Sequence, residues 1–423
     1  MIAVQLLMAA LAVETAVLQQ EIDEAHHAGG GVVHVSCGKH LVGGLELKSN
    51  VELNLEEGAE LVFSDDAEDY LPARRVSWEG VECWNYSPLI YAYGATNIAI
   101  TGSGKLVARH ERWKKWDRSR TPEAQKVWDK LVYEWGEKDV PVEKRQLLRD
   151  AGAAFRPHFI HFNRCRDVRL DGFTIRGSPF WTLHFYLCER ATVRNLDISA
   201  YDEDGYAMAN SDGIDIESSK NVTVEHCSFC QNDDGVVIKS GRNRDGRRVG
   251  VASENILVRD CVVHKGHGLL VIGSELSGGI RNVTMENCRM DGVARRLLYI
   301  KTARPRGGFV EGVTMRNVTA NEVEGEMLAI NASYMISPSE VQPTGVGPTR
   351  ITGVRMENVT AEKTGRLYSI EGDPEAPVSD VVLVKLSARE TGSEPTAENV
   401  RGMCVDGTRM PDVLGCRFKN PHW

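Results

Sequence analysis

The chain has 423 residues, 42% hydrophobic and 26% charged, enough to build a large buried core. Its 59 acidic residues against 50 Lys and Arg give a formal charge of -9 with no basic block, which argues against nucleic acid as a partner. No apolar run approaches the roughly 18 residues of a membrane-spanning helix.

Met1 to Ala12 is apolar and ends in Ala10-Leu11-Ala12, which resembles a signal-peptidase site but has no basic leader. The same residues also fit a helix that continues through Leu18 and Ile22. The first reading implies a secreted or periplasmic protein, and the second leaves the cytoplasm open. Ala16, Leu18, Ile22 and Ala25 then recur at helical spacing before Gly29-Gly30-Gly31, so a helix over 13–28 is expected to cap one end of the fold.

From residue 50 onward a phrase repeats, a turn residue followed by alternating β-branched residues. It reads Asn50-Val51-Glu52-Leu53, Asn97-Ile98-Ala99-Ile100, Asp167-Val168-Arg169-Leu170, Asn221-Val222-Thr223-Val224, Asn255-Ile256-Leu257-Val258 and Asn282-Val283-Thr284-Met285. Steps from Val168 to Val193, Val222, Ile256, Val283 and Val313 are 25, 29, 34, 27 and 30 residues. No single copy can bury its own apolar face, so copies must stack and share one core. Strand-type alternation at this period predicts a parallel β-helix, an all-β solenoid forming a single domain over 1–423. Five residues beyond the anchors stand Phe173, Ile198, Cys227, Cys261, Cys288, Val318, Val359 and Leu386, an expected internal ladder in which the cysteines are small buried hydrophobes. Cys227 and Cys230 have Cys-x-x-Cys spacing but no partner pair follows, so neither a metal nor a cofactor is expected. The corner Asn tolerates the left-handed conformation and can bond its neighbours above and below.

Ile98 and Val168 are 70 residues apart, and a helical insertion is expected over 105–155. Thr121 to Arg149 is charged and helix-permissive, apolar at Trp128, Leu131, Val132 and Trp135. With Trp113 and Trp116 the insertion holds half of the 8 tryptophans, which suit either a sugar platform or packing on a solenoid.

Polar residues cluster where the repeats are most regular: Asn210-Ser211-Asp212-Gly213, Asn232-Asp233-Asp234-Gly235, Gly266-His267-Gly268 and Tyr299-Ile300-Lys301. The steps are 21 residues from Asp212 to Asp233, 33 from Asp234 to His267 and 34 from His267 to Lys301. These approximate one coil each and predict one shared outer face. Stacked strands lie about 4.8 Å apart, so the carboxylates must interact, and like charges this close raise at least one pKa. Glycosidic cleavage uses such a group as acid and a second carboxylate to activate water.

Read together, these motifs resemble the family 28 glycoside hydrolases, the polygalacturonases and their relatives, whose pattern is Asn-Thr-Asp, Asp-Asp, Gly-His-Gly and Arg-Ile-Lys. Trp84-Asn85-Tyr86-Ser87-Pro88, Arg156-Pro157, Ser178-Pro179-Phe180-Trp181 and Ile238-Lys239-Ser240-Gly241 look like bacterial members. The resemblance implies a right-handed pectin-lyase-like β-helix and inverting hydrolysis of α-linked galacturonic acid in pectin or oligogalacturonides, exo action, and plant cell-wall polysaccharide or oligosaccharide as substrate. It implies Asp233 as general acid, Asp212 and Asp234 as holders of the attacking water, His267 as support for the acid, and Lys301 as ligand of a sugar carboxylate. Tyr299, Asn210, Lys239, His184 and Arg296 complete the candidate substrate-binding set. Tyr299 departs from the family Arg and removes a bidentate carboxylate partner; Arg295 or Arg296 could replace it, or the sugar could differ. An inverting hydrolase of rhamnogalacturonan or another α-glycoside, and a non-catalytic carbohydrate-binding β-helix, are the competing readings. A pectate lyase would share the solenoid but needs calcium and an arginine base. The oligomeric state is left open.

Overall fold

A computed structural model describes residues 2–117, 123–148, 155–334 and 345–416. The chain winds as a right-handed parallel β-helix in which each strand pairs in parallel with its counterpart one coil on, forming three ladders. The first passes from Gly31–Val35 through Val51–Leu55, Thr96–Gly102, Arg166–Asp171, Glu189–Arg194 and Lys220–Glu225 to Ser253–Arg259 and beyond. The second starts with Gly38–Val42, Ala59–Phe63, Lys105–Ala108 and Thr174–Arg176. The third contains Leu45–Glu46, Ile90–Tyr93, Ile160–Asn163, Leu183–Tyr186, Ile214–Glu217 and Val236–Lys239, then the later halves of Val262–Gly273 and Arg289–Lys301. Alternation along each strand sends Val51, Leu53 and Leu55, and their equivalents on every coil, into one continuous core.

The corners explain the repeated turn residue. Asn50, Asn97, Asp167, Asn221, Asn255 and Asn282 all have left-handed backbones, with φ between 54° and 64°, a conformation that Asn and Asp tolerate best among residues with a side chain. Their amides bond from coil to coil, Asn97 Nδ2 to Asn50 Oδ1 at 3.1 Å and Asn255 Nδ2 to Asn221 Oδ1 at 3.0 Å.

One anchor read from sequence is displaced. Val222 pairs with Ala191, not Val193, and the residue in line with Cys227 is Leu196, because Ser228 pairs with Asp197. Ala191 and Val193 both face inward, and the larger residue gave the stronger apolar signal at the wrong one of two alternating positions. Cys227, Cys261 and Cys288 do stack inside, each 2% exposed.

A helix, α1 (Ile2–His27), covers the first coil and is longer than the 13–28 expected. Ile22 and Leu18 meet the core. Polar side chains of the same helix take up the open strand edge: Glu14 Oε2 accepts from Leu41 N at 2.9 Å, Thr15 Oγ1 from Gly43 N at 2.8 Å and Gln19 Oε1 from Glu46 N at 2.8 Å.

Two excursions leave the solenoid on the side of the third ladder. The antiparallel hairpin Arg74–Trp78/Val81–Asn85 was not foreseen. The expected insertion begins later than 105, since Lys105–Ala108 is a regular ladder strand, and it contains α2 (Glu123–Glu137); Thr121 and Arg149 lie outside the described residues. Ile98 pairs directly with Val168, so the 70-residue step between them closes a single coil. Val132 and Tyr133 of α2 pack with Val76, Trp78, Val81, Cys83, Phe155, Phe180 and Trp181 in a second core, against which Trp128 and Trp135 lean. Trp113 joins the main core and touches Tyr70 and Trp116. For Trp113, Trp128 and Trp135, packing is therefore the answer to the open alternative. The short helix α3 (Asn243–Val249) ties the hairpin down, with Glu82 N donating to Asp245 Oδ2 at 2.9 Å and Arg145 paired with Asp245 at 2.9 Å, both side chains shut from solvent.

Candidate active site

The outer face of the third ladder is the floor of the site. Gly213 N donates to Asp234 O at 3.0 Å and Gly235 N to Gly268 O at 2.8 Å, so Asp212, Asp234 and Gly268 form one column where each coil enters the third ladder. His267 N donates to Asp233 O at 2.8 Å, which places His267 above Asp233 in the adjacent column. One carboxylate oxygen each of Asp233 and Asp234 and one ring nitrogen of His267 fall within 4.8 Å of one another. Three carboxyls on two coils therefore share one patch of the outer wall, as the spacing predicts.

Lys301 does not stand above His267, contrary to the one-coil count. It pairs with Gly273, and the residue in line with Gly268 is Arg296. The lysine enters from further along the strand, and its Nζ donates to Asp234 Oδ2 at 3.0 Å. A β-carbon at Gly268 would lie 3.2 Å from Asp234 Oδ1. The Gly-His-Gly motif thus makes room for a carboxylate–ammonium pair and sets a histidine beside the neighbouring carboxylate, with His267 Nδ1 3.1 Å from Asp233 Oδ1.

Exposure differs among the acids. Asp212 and Asp234 are 4% and 3% exposed, whereas the side chain of Asp233 presents 22% of its surface. Burial, reinforced by the Asp215 and Asp233 carboxylates, raises Asp212 well above the usual carboxylate range. Burial also pushes Asp233 up, but its bond to His267 and the charge of Lys301 outweigh this and leave it below its ordinary value. The upward shift expected from crowding therefore falls on Asp212 and not on Asp233 in the free enzyme. Lys301 is held firmly protonated: burial works against its charge, and Asp234 and Asp233 more than compensate.

The candidate substrate contacts divide. Tyr299 lies between Arg296, whose guanidinium is 4.4 Å from the ring centroid, and Tyr334, edge-on at 6.2 Å. Burial, against the neighbouring cations, pushes its hydroxyl up to about 12. Arg296 is also bound to Glu326 Oε2 at 3.0 Å. Asn210 sits in the left-handed turn two residues before Asp212 with φ 56° and is half-buried.

Lys239 and His184 were expected at the substrate and are instead sealed. Lys239 Nζ bonds Glu275 Oε2 at 2.9 Å and lies 4.7 Å from the Trp181 ring centroid. His184 is 1% exposed, with Nε2 2.9 Å from Glu217 Oε2 and Nδ1 2.9 Å from His161 Nδ1. Burial depresses His184, His161 and His158 well below the usual imidazole value and raises Glu217 to about 8, so the pair is neutral. Both corrections have one cause, the unforeseen hairpin: Ser77 Oγ donates to Glu217 Oε2 at 2.8 Å, and Trp78 stacks on Phe180 at 4.1 Å. The sequence reading also missed Tyr334, which follows the last motif by a long gap, and Glu275, which lies just past a strand end. Asp215, which alternates with the inward Ile214 and Ile216, was within reach of the alternation rule.

The hairpin also shapes the cleft. Tyr91, His161 and His184, the floor residues of the coils before Asp212, are 3%, 0% and 1% exposed. On that side the floor is covered by Trp181, Phe180 and Trp78, which close that end of the face.

Residues 143–405 match the family model described as glycosyl hydrolases family 28. The structure is similar to that of a hyperthermoactive exopolygalacturonase from Thermotoga maritima, with TM-score 0.84 and 36% identity over 94% of this chain and 88% of that one. It shares its fold with a family 28 exopolygalacturonase of Yersinia enterocolitica, TM-score 0.68 and 22% identity over 94% of this chain and 76% of that one. In sequence it is 24% identical over 401 residues to a probable polygalacturonase of Vitis vinifera, covering 92% of this chain and 74% of the relative.

Proposed function

The chain belongs to family 28 of the glycosyl hydrolases, and from that premise we propose that it removes galacturonic acid units from the ends of pectin or oligogalacturonide chains with inversion at the anomeric carbon. The exo mode rests on the blind end of the cleft, since a polymer cannot run past Asp212 toward Trp181. Uronic acid specificity rests on Lys301, a buried ammonium next to the acids.

In this reading Asp233 protonates the glycosidic oxygen, and Asp212 with Asp234 holds the attacking water. The bond from the anomeric carbon to the leaving oxygen breaks as the water oxygen bonds to that carbon, and the water's proton passes to Asp212. Asp233 is the acid most open to the cleft. Its bond to His267 and the charge of Lys301 keep its proton affinity low in the free enzyme; a uronate carboxylate taken by Lys301 cancels the second of these, and filling the cleft removes water, both of which raise it. His267 fixes the Asp233 side chain. Arg296 and Tyr299, with Tyr334, form the wall that replaces the bidentate arginine. The raised proton affinity of Asp212 favours one second reading, in which acid and base are exchanged.

Two measurements test this. Product analysis on oligogalacturonides and rhamnogalacturonan fragments should give galacturonic acid monomer or short end products from the former; random internal cleavage, or turnover of the latter alone, overturns the substrate and mode. Asp233→Asn should lose far less activity on an aryl galacturonide with a good leaving group than on oligogalacturonide, as loss of the acid predicts. If Asp212→Asn shows that pattern instead, the roles exchange. A cell-wall polymer as substrate places the enzyme in the secreted or periplasmic space, which fractionation checks.

A further inference from the structure

Asp215 lies on the outward face of Ile214–Glu217, between Asp212 and Glu217, and the reaction described above gives it no task. It is wholly out of solvent, and neither of its carboxyl oxygens has a hydrogen-bond partner among the described residues. Oδ1 of Asp212 shares that condition. Every element around Asp215 brings a charged or titratable group except one. His184 is its cross-strand partner on the preceding coil, and Val237, apolar, is its partner on the following coil. Lys239 Nζ is 3.9 Å from Oδ1, Glu217 lies two residues on, and Asp233 and Asp234 stand at the turn before Val236–Lys239.

A charged carboxylate without hydrogen bonds cannot be kept in a site closed to water. Lys239 relieves it only in part, because its ammonium stands 3.9 Å from Oδ1, beyond hydrogen-bond reach, and bonds Glu275 Oε2 at 2.9 Å and the Gly273 carbonyl at 3.3 Å; burial outweighs its charge and raises Asp215 well above the usual carboxylate range. Both nitrogens of His184 are taken by Glu217 and His161. Glu217 Oε1 is unpartnered too, but Glu217 is itself a protonated acid held by Ser77 and His184. The acceptor that remains is Asp212 Oδ1, and when both carboxyls are charged Asp215 is the strongest charge acting on Asp212.

We infer that Asp215 is a positioning residue for the base: it keeps its proton through the cycle and donates its O–H to Asp212 Oδ1, so that Asp212 turns its other oxygen to the attacking water. One proton on the pair replaces repulsion by a hydrogen bond. It lets Asp212 ionise in a setting that would otherwise hold it neutral. The inference rests on Asp212 as base, one of the two assignments above.

The test compares Asp215→Asn, which keeps a donor, with Asp215→Leu, which does not, by the pH dependence of kcat/KM on oligogalacturonide, together with KM and the melting temperature. Asp215→Asn should keep the wild-type acid limb. Asp215→Leu should move that limb up by about one pH unit, the effect of losing one hydrogen bond to a charged group, with KM unchanged. An unmoved limb in Asp215→Leu, or an equal shift in both variants, overturns the inference. Should Asp215→Leu not fold, the infrared difference between wild type and Asp215→Asn decides: a protonated-carboxyl stretch present only in wild type supports the proposal, and its absence overturns it. Asp212→Asn separates the two levels. If it retains turnover, the assignment of the base fails and takes the inference with it; if it is inert while Asp215→Leu leaves the profile unmoved, the inference alone fails.

Discussion

Replacing Gly268 by alanine isolates the geometric demand of the site. An added β-carbon would sit 2.2 Å from Val271 Cγ2 and 3.2 Å from Asp234 Oδ1. Gly268 is not among the left-handed glycines, so the cost is steric. The first contact cannot be tolerated and must shift a fully buried strand residue, which by the usual cost of overpacking destabilises by about 1–3 kcal/mol. The second contact displaces the carboxylate that holds Lys301. A misplacement on the order of 1 Å at a reacting group lowers kcat by about 100-fold. Adding Val271→Ala separates the two effects, because it relieves the strand clash and leaves the carboxylate contact in place. The double variant should recover melting temperature but not turnover, measured as galacturonic acid released from an oligogalacturonide. If Val271→Ala restores both, Gly268 acts through strand packing and not through Asp234; if Gly268→Ala is fully active, the column of Asp212, Asp234 and Gly268 does not constrain the chemistry.

Three further outcomes are expected. Lys301→Ala should raise KM for uronic substrates by tenfold or more, since a hydrogen bond to a charged group is worth about 1.5–3 kcal/mol, while KM for a neutral-sugar analogue stays unchanged and kcat falls for both because Asp234 loses its partner. Glu217, raised from 4.5 to about 8 by burial, keeps its proton in the folded chain where the unfolded chain has lost it. Its stabilising contribution is therefore full below pH 4.5 and declines as pH rises to about 8. Urea melts across that window should show wild type losing on the order of a few kcal/mol relative to Glu217→Gln, and parallel curves would contradict the assignment. Arg145→Met breaks a sealed ion pair with Asp245 and should cost about 3–5 kcal/mol. Because that pair anchors the wall beside the hairpin, longer oligosaccharide products should appear as the blind end loosens.

The solenoid was legible because its demands recur. Each corner needs a left-handed residue and each strand an inward β-branched one, so Asn221-Val222 and Asn255-Ile256 repeat the same solution. Asp212, Asp233, Asp234 and His267 were legible for a related reason, since residues in equivalent places on successive coils meet in space. Lys301 shows where counting fails, since a long side chain acts some distance from its backbone. The hairpin was invisible because its partners, Asp245, Glu217 and Phe180, are remote in sequence and obey no period. That is why His184 and Lys239, expected among the substrate-binding residues, are closed off from the face they share with the acids.

The contacts of Glu14, Thr15 and Gln19 have a meaning for the protein as a population. They occupy backbone donors that an uncovered first turn would offer to any chain with free carbonyls. A strand edge on another copy is one such chain, and a head-to-tail join between copies repeats without closing. A chain cut back beyond Gln19 should therefore grow into filaments, visible as light scattering that rises with concentration, while the catalytic groups several turns away stay intact.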